Sequence, residues 1–178
     1  MVNQNSAPRM IGESSCFLEM QEHISLVASL NKPVLIVGER GTGKELIAAR
    51  LHFLSHRWEG SFLKINCAAM SETLLEAQLF GHEAGAYTGA TKQRKGYFER
   101  ANGGTLFLDE LANTDLSVQE KILRVIEYGE FERLGGNETI QVDVRIVAAT
   151  NEDLPDLARQ YRFREDLLDR LAFDVVTL

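Results

Sequence analysis

A glycine-rich loop that follows an apolar run and precedes a helical pattern constrains this chain more than any other feature. The apolar run, Val34–Val37, is rich in β-branched residues and follows a proline, which is typical of a short strand buried on both faces of a parallel sheet. Beyond the loop, Leu46, Ile47, Leu51 and Leu54 recur at helical spacing. Strand, loop and helix in this order form the context in which a G-x-x-x-x-G-K sequence indicates phosphate binding.

The loop has the residue types that hold a triphosphate. Its glycines let backbone N–H groups turn inward around phosphate oxygens, where a Cβ would obstruct them. The following helix contributes the positive end of its dipole, and Lys44 contributes a charge for the terminal phosphates. A dinucleotide-binding fingerprint fits poorly because no third glycine follows Gly43 at the required spacing. The candidate nucleotide-binding residues are therefore Gly38, Glu39, Arg40, Gly41, Thr42, Gly43, Lys44 and Glu45.

The residue after the lysine, Glu45, stands where such loops usually carry the serine or threonine whose hydroxyl contacts Mg²⁺. The metal must therefore depend on an acid elsewhere. The segment Thr105–Glu110 predicts a buried strand that ends in two acids, Asp109 and Glu110. We expect Asp109 to hold the hydrated Mg²⁺ and Glu110 to orient or deprotonate the attacking water. The alternative is that both are ordinary helix-capping acids.

Polar residues also end two other predicted strands. Asn66 closes the strand that begins at Phe62, and Thr150 and Asn151 follow the strand that begins at Arg145. Ligands of parallel α/β sheets collect at the carboxyl ends of the strands, so we expect these side chains near the phosphates. For Asn66, position alone leaves a role in a turn or a cap equally open.

A small-residue segment separates two helical stretches, and its central residues are Gly85, Ala86, Tyr87, Thr88, Gly89 and Ala90. Repeated glycine prevents a regular helix there. A tyrosine and a threonine at the centre of such a loop suggest a surface presented to a partner. The alternative is a connecting turn whose Tyr87 folds back onto the domain, and the residues alone slightly favour that turn.

Composition narrows the class of protein. The chain has 178 residues with a net charge of −7 and a pI of about 5.2, which disfavours direct nucleic-acid binding through a basic face. Cys16 and Cys67 do not indicate a disulfide framework, and the polar start and the absence of a long apolar run predict a cytoplasmic protein without a membrane segment. His52 and His56 lie four apart but lack a third ligand, so they predict ordinary helix residues rather than a zinc site.

The order of predicted strands and helices indicates one α/β domain. We expect residues 1–12 to be a flexible lead and residues 13–178 to form a doubly wound parallel sheet with helices on both faces. A β-hairpin is predicted around Gly135, Gly136 and Asn137, with strands at 131–134 and 139–144.

Five segments in this order resemble the central AAA+ ATPase domain of bacterial enhancer-binding proteins, which activate sigma-54 RNA polymerase: GERGTGKE, GAYTGA, TLFLDE, the hairpin and FREDLLDR. The resemblance covers about residues 11–178. It implies a P-loop AAA+ core that hydrolyses ATP with Mg²⁺, works as a homo-hexameric ring and remodels the sigma-54 holoenzyme so that promoter DNA can open. It also implies kinship with response regulators of the two-component type and a negative regulator protein as a further partner.

The resemblance implies roles for the polar strand ends. Asp109 and Glu110 match the Walker B pair. Asn66 matches the asparagine that changes its contact with the Walker B glutamate as the nucleotide changes. Thr150 and Asn151 match the sensor I position.

Two arginines and the small-residue loop match sites that act between molecules. Arg164 and Arg170 match arginine fingers that reach into a neighbour's site, although the residues alone favour a solvated helix face. Tyr87 and Thr88 match the loop that touches sigma-54, with tyrosine where the family has phenylalanine. Glu45 after the lysine is usual for this family.

Two parts of the family's architecture are missing from the sequence, the helical lid with its sensor II arginine and the helix-turn-helix. We therefore expect a piece of a longer protein, weak ATP hydrolysis by the piece alone, and DNA contact only through the missing domain. Two other functions stay open. One is another AAA+ motor of the helicase or clamp-loader type, against which the acidic balance and the GAYTGA loop count. The other is a non-hydrolysing, nucleotide-gated interaction module.

Overall fold

The computed structural model describes residues 10–178, so positions 1–9 of the predicted lead lie outside the described residues. Helices and strands alternate along this range, and none of its helices is long and apolar enough to span a bilayer. In chain order the elements are α1 Ser15–Ala28, β1 Val34–Val37, α2 Lys44–Phe53, β2 Phe62–Asn66, α3 Glu72–Phe80, β3 Gly81–His82, β4 Arg94–Lys95, α4 Tyr97–Arg100, β5 Thr105–Asp109, a 3₁₀ turn Leu111–Asn113, α5 Leu116–Tyr128, β6 Glu130–Glu132, β7 Thr139–Gln141, β8 Arg145–Thr150, α6 Leu154–Arg159, α7 Glu165–Leu171 and β9 Val175–Thr177.

Five parallel strands form the main sheet in the order β2-β5-β8-β1-β9. Successive residues of β8 lie on opposite faces of the sheet. Ile146 and Ala148 pack in one core, and Val147 and Ala149 pack in the other. The first core includes residues of α3, α5, α6 and α7, and the second includes residues of α1 and α2. Both faces of the sheet are covered, which explains why the strands read as unbroken apolar runs. The predicted doubly wound parallel α/β fold is confirmed.

Two short antiparallel ladders lie outside the main sheet. β6 pairs with β7 at the predicted hairpin. Its strands, Glu130–Glu132 and Thr139–Gln141, are shorter than the predicted 131–134 and 139–144, although Val142 N still donates to Gly129 O beyond the ladder. The second ladder, in which β3 pairs with β4, was not predicted from the sequence. This pairing needs glycine, because a Cβ on Gly81 would lie 2.4 Å from the main-chain oxygen of Arg94.

Arg145 anchors the amino end of β8 to α1. Its side chain is buried and donates hydrogen bonds to the main-chain oxygens of Val27, Ala28 and Lys32. Burial, and secondarily the charge of Arg57, lowers the pKa of Arg145 to about 10. Because the oxygens of Val27 and Ala28 lie at the C-terminal end of α1, where the helix dipole is negative, the buried cation holds α1 against the sheet.

The two histidines of the α2 region lie at different depths. His52 is buried, its Nδ1 lies 3.0 Å from Thr105 Oγ1, and its ring stacks on Phe62. Burial is the main cause that lowers the pKa of His52. His56 is exposed beyond the helix. The buried histidine therefore joins α2 to β5 and β2.

Candidate functional site

The carboxyl ends of the central strands meet at one edge of the sheet, which we call the nucleotide edge. The register places Asn66 beside Asp109 and Val37 beside Thr150. Gly38 N, the first group of the glycine-rich loop, donates to Thr150 O at 3.1 Å. The structure therefore brings the loop and the polar ends of β2, β5 and β8 together, as parallel strands require.

The glycine-rich loop has the backbone conformation that its sequence predicts. Gly41 and Gly43 have φ angles of 82° and 91°, in the left-handed region that favours glycine. A Cβ on Gly41 would meet nothing within 4 Å, so the backbone angle rather than crowding requires glycine at this position. Gly43 is the N-cap of α2, and Thr42 Oγ1 donates to Glu39 O at 2.8 Å. The loop thus opens directly onto the positive end of the α2 dipole.

Lys44 places a buried positive charge at the centre of this loop. Its side chain donates to Gly38 O at 2.8 Å and to Glu39 O at 3.0 Å. Both acceptors are neutral carbonyls, so these bonds fix the side chain without neutralising its charge. The charge reaches the end of β5, where it acts to lower the pKa of Asp109. An anionic ligand in the loop would meet an oriented cation.

Asp109 and Glu110 occupy the end of β5 and differ in their surroundings. The pKa of Asp109 is raised, chiefly by desolvation, although a hydrogen bond from Glu110 N and the charge of Lys44 oppose the rise. Glu110 is 6% exposed and has a φ of 54°, an uncommon angle for a residue with a side chain. Its Oε1 accepts a hydrogen bond from Arg40 Nε at 3.2 Å. Its Oε2 is buried without a hydrogen-bond partner among residues 10–178.

A divalent cation fits this pair of acids. Asp109 and Glu110 together produce a negative field, which also acts on the nearby thiol of Cys67. The pKa of this buried thiol is raised to about 12, chiefly by burial and further by the charges of the two acids. Residues 10–178 contain no cluster of three His, Cys, Asp or Glu side chains that could form a cage for a metal ion. Mg²⁺ typically uses one or two carboxylates and completes its shell with water and substrate phosphates. The unpartnered Oε2 of Glu110 is suited to accept a hydrogen bond from such a water.

The other residues predicted at the nucleotide edge also lie at strand ends, and two of them, Asn66 and Thr150, bond to main-chain groups two positions further along the chain. Asn66 is exposed, and its Oδ1 accepts a hydrogen bond from Ala68 N at 2.9 Å, which is a turn-capping arrangement. Thr150 is fully buried, and its Oγ1 accepts from Glu152 N at 2.9 Å, whereas Asn151 is exposed.

Glu45, the residue after the lysine, forms an ion pair with Lys64 on β2. Its carboxylate is 62% exposed. The acid that replaces serine or threonine in this loop is therefore bound to a neighbouring strand.

Arg164 is the N-cap residue of α7 and Arg170 lies in its last turn, and both pair with carboxylates of their own chain. Arg164 donates to Asp166 at 2.8 and 3.0 Å and to Glu120 at 3.3 Å, and the bonds to Asp166 are the main cause that raises the pKa of Arg164. Arg170 Nε donates to Glu127 at 2.9 Å. These partners belong to α5 and α7, so the structure does not bring the two arginines to the nucleotide edge of their own chain.

The loop of residues 85–90, which we call the partner loop, combines the two arrangements that the sequence left open. The ring of Tyr87 is half-buried and lies edge-on to His82, with the ring centroids 5.0 Å apart and the planes at 69°. Thr88 and Gly89 are exposed at the tip. Gly85 N donates to Ala90 O at 2.7 Å, which closes the base of the loop. The tyrosine folds back onto the domain, and the threonine is presented to solvent.

Arg133 braces the partner loop, a role that was not predicted from the sequence. Its guanidinium donates two bonds of 2.8 Å to Glu99 and one of 2.8 Å to Glu83, at the base of the loop. Glu83 N also donates to Leu134 O at 3.0 Å, so the partner loop rests on the β6–β7 hairpin. The sequence carried one signal of the contact between loop and hairpin, the glycine pair at the hairpin tip. In the structure a Cβ on Gly135 would lie 2.9 Å from the Cβ of Ala86, so the close approach requires glycine.

Sequence comparisons connect this geometry to a known group. The profile of the family described as the Sigma-54 interaction domain matches residues 10–177. The Psp operon transcriptional activator of Escherichia coli K12 is 64% identical over 169 residues, which cover 95% of this chain and 52% of that protein. The Nif-specific regulatory protein of Azotobacter vinelandii is 54% identical over 162 residues, which cover 91% of this chain and 31% of that protein. The chain thus spans about half or less of the length of these curated relatives.

Solved structures show the same architecture. NtrX from Brucella abortus superposes with a TM-score of 0.88 at 37% identity, over 94% of this chain and 37% of that chain. NtrX in complex with ATP also matches, with a TM-score of 0.88. A P-loop NTPase domain of a sigma-54 activator from Escherichia coli has a TM-score of 0.63 at 17% identity, which supports the fold alone.

Proposed function

Because the chain belongs to the Sigma-54 interaction domain family, we propose that it is the ATP-hydrolysing AAA+ domain of a sigma-54-dependent transcriptional activator. One observation carries this proposal, the convergence of Lys44, Asp109 and Glu110 at the nucleotide edge. NtrX, a structural neighbour, has been solved with ADP and with ATP. The left-handed glycines and the buried Lys44 of this chain's loop support nucleotide binding by this chain as well.

Each residue of the nucleotide edge has a distinct part in the proposed reaction. The N–H groups of the loop and Lys44 hold the phosphates of ATP. Asp109 holds the water shell of Mg²⁺, which supplies charge neutralisation at the phosphates when bound. Glu110 orients the attacking water and accepts its proton. Thr150, bound to the loop through its carbonyl, keeps β8 and the loop in register, and Asn66 and Asn151 contact the nucleotide or Glu110 as hydrolysis proceeds.

The remaining candidate residues act between molecules in this proposal. Arg164 and Arg170 leave their partners on α5 and α7 and reach the nucleotide edge of a neighbouring copy in a homo-hexameric ring, where they stabilise the transferring phosphoryl group. The partner loop contacts sigma-54, and the conformational change remodels the polymerase so that promoter DNA opens. A protein that acts on RNA polymerase works in the cytoplasm. DNA contact and a negative regulator protein belong to the longer protein.

The test is binding to sigma-54 in the presence of ADP and aluminium fluoride, a mimic of the γ-phosphate in transfer, with the protein that carries this domain. We expect a complex that forms only with the mimic and that Lys44→Ala abolishes. ATPase activity that DNA stimulates, without such a complex, would instead support a motor of the helicase or clamp-loader type. Nucleotide binding with no turnover would support an interaction module gated by nucleotide.

A further inference from the structure

An ion pair between Arg40 and Glu110 joins the glycine-rich loop to the end of β5 at the nucleotide edge. Arg40 Nε donates to Glu110 Oε1 at 3.2 Å, across a sequence separation of 70 residues. The Arg40 side chain is 77% exposed, whereas the Glu110 side chain is 8% exposed. A solvated guanidinium therefore reaches inward to a buried carboxylate. We propose that Arg40 is a positioning residue that holds Glu110 in the orientation needed to act on water.

The structure leaves the orientation of the Glu110 carboxylate to Arg40. The main chain of Glu110 is fixed by the 3₁₀ turn, because Asn113 N and Nδ2 both donate to Glu110 O, at 3.0 and 3.3 Å. The side chain accepts the bond from Arg40 at Oε1, and Oε2 has no partner in the part of the chain that is described. Asn66, on the neighbouring strand, uses its Oδ1 for Ala68 N. Glu110 is thus held from the side of the loop rather than from β2.

The division of labour between the two carboxylate oxygens suits general base catalysis. Arg40 binds Oε1 and so places a positive charge beside a carboxylate that is largely shielded from solvent. A charge-assisted bond to such a carboxylate is stronger than one between two groups at an open surface. Oε2 then remains available to accept the proton of the attacking water. Without Arg40, the buried carboxylate gains other orientations, and turnover falls even though the phosphate contacts of Lys44 persist. This inference rests on the proposed ATP hydrolysis.

The test separates kcat from KM for Arg40→Met in the protein that carries this domain. A positioning role predicts that kcat falls about three- to tenfold, with KM and the affinity for ATPγS within about twofold of the unmodified protein. Arg40→Lys should recover part of kcat, because lysine supplies a charge without the directed guanidinium N–H groups. Arg159→Met is the matched control, since Arg159 is 71% exposed and pairs with Asp156 on α6, and it should change neither parameter.

Two outcomes would overturn the inference while leaving the proposed function in place. The first is an unchanged kcat for Arg40→Met in a protein whose turnover depends on Glu110. The second is a loss of ATPγS affinity of about tenfold or more, which would show that Arg40 binds phosphate instead. Failure of the unmodified protein to hydrolyse ATP would overturn the proposed function, and this inference with it.

Discussion

The glycine-rich loop and the partner loop of this domain are held mainly by contacts of different range. In the glycine-rich loop, Lys44 bonds to carbonyls only six and five positions earlier, and the left-handed glycines set the backbone. The partner loop is instead held from a distance in sequence, because Arg133 reaches 50 positions back to Glu83 and 34 back to Glu99. The lysine and the backbone angles of the glycine-rich loop are set within its own segment, whereas the partner loop is braced by a neighbouring hairpin.

The difference suits the two proposed tasks. A phosphate cradle must keep its N–H groups oriented before the ligand arrives, and local main-chain bonds keep that geometry at little conformational cost. A loop that transmits a conformational change must move, and moving elements belong to the less stable parts of a fold. An ion-pair brace and one aromatic contact fix the partner loop without enclosing it in a core. Substitutions in the two regions should reveal this contrast, from a large loss of turnover at the nucleotide edge to a small change in stability at the partner loop.

The largest effect is expected from Arg164, which in the proposed ring would reach the nucleotide edge of another copy. Arg164→Ala should lower turnover about 10³-fold or more, because an arginine supplied across an interface stabilises the transferring phosphoryl group. ATPase assays on rings that mix Arg164→Ala with Glu110→Gln subunits should recover part of the turnover, since some interfaces then pair an intact site with an intact arginine.

The mixing experiment also tests whether the nucleotide edge depends on a residue from another chain. Recovery would show that the nucleotide edge is completed by one residue from outside its own chain. Complete absence of recovery in assembled mixed rings would mean that Arg164 and Arg170 keep the partners on α5 and α7 that the structure shows.

Two substitutions within the nucleotide edge should separate binding from chemistry. Lys44→Ala should weaken ATP binding about ten- to a hundredfold, the equivalent of one charge-assisted hydrogen bond. Glu110→Gln should leave binding largely intact and lower hydrolysis about 10²- to 10⁴-fold, because it removes the base. Equilibrium binding of a fluorescent ATP analogue and steady-state turnover measure the two effects. Turnover by Glu110→Gln at the unmodified rate would show that this acid is not the base.

Loss of the brace should affect the fold before it affects nucleotide binding. Arg133→Met removes the bidentate partner of Glu99, whose side chain is 8% exposed, and should lower the free energy of unfolding by about 1–2 kcal/mol. Arg124→Met is the matched control, because its pair with Glu130 is 52% exposed on the arginine side and should cost less than about 0.5 kcal/mol. Urea denaturation of both variants measures the difference. Equal costs would show that the brace is no stronger than an ordinary surface pair.

The same contrast explains what the sequence could predict. The fold and the position of the nucleotide edge follow from contiguous signals, namely apolar runs that end in polar residues and glycines before Lys44. The contacts of Arg40 with Glu110 and of Arg133 with Glu99 could not be predicted, because they join residues 70 and 34 positions apart whose side chains also suit a solvated surface. The partner loop lay between these cases, since the residues left open both a presented tip and a turn with Tyr87 folded back, and slightly favoured the turn. They did not identify His82 as the residue on which Tyr87 packs.

The smallest effect on the fold is expected from Thr88→Ala, which gives the sharpest test of the partner loop. Thr88 is exposed, so the loss of one hydroxyl and one methyl should cost no more than about 0.5 kcal/mol of unfolding free energy. ATPase activity should largely survive, because Lys44, Asp109 and Glu110 are untouched. Binding to sigma-54 and transcription activation should collapse if the tip makes the contact.

Tyr87→Phe is the matched comparison for that test. It keeps the ring that lies edge-on to His82 and removes only the phenolic hydroxyl, so we expect a mild effect on sigma-54 binding and on stability. A pull-down with sigma-54 and a promoter-opening assay should therefore rank Thr88→Ala far below Tyr87→Phe. If Thr88→Ala activated transcription as well as the unmodified protein, the exposed tip would be a connecting turn. The main reason for preferring a sigma-54 activator over another AAA+ motor would then be lost.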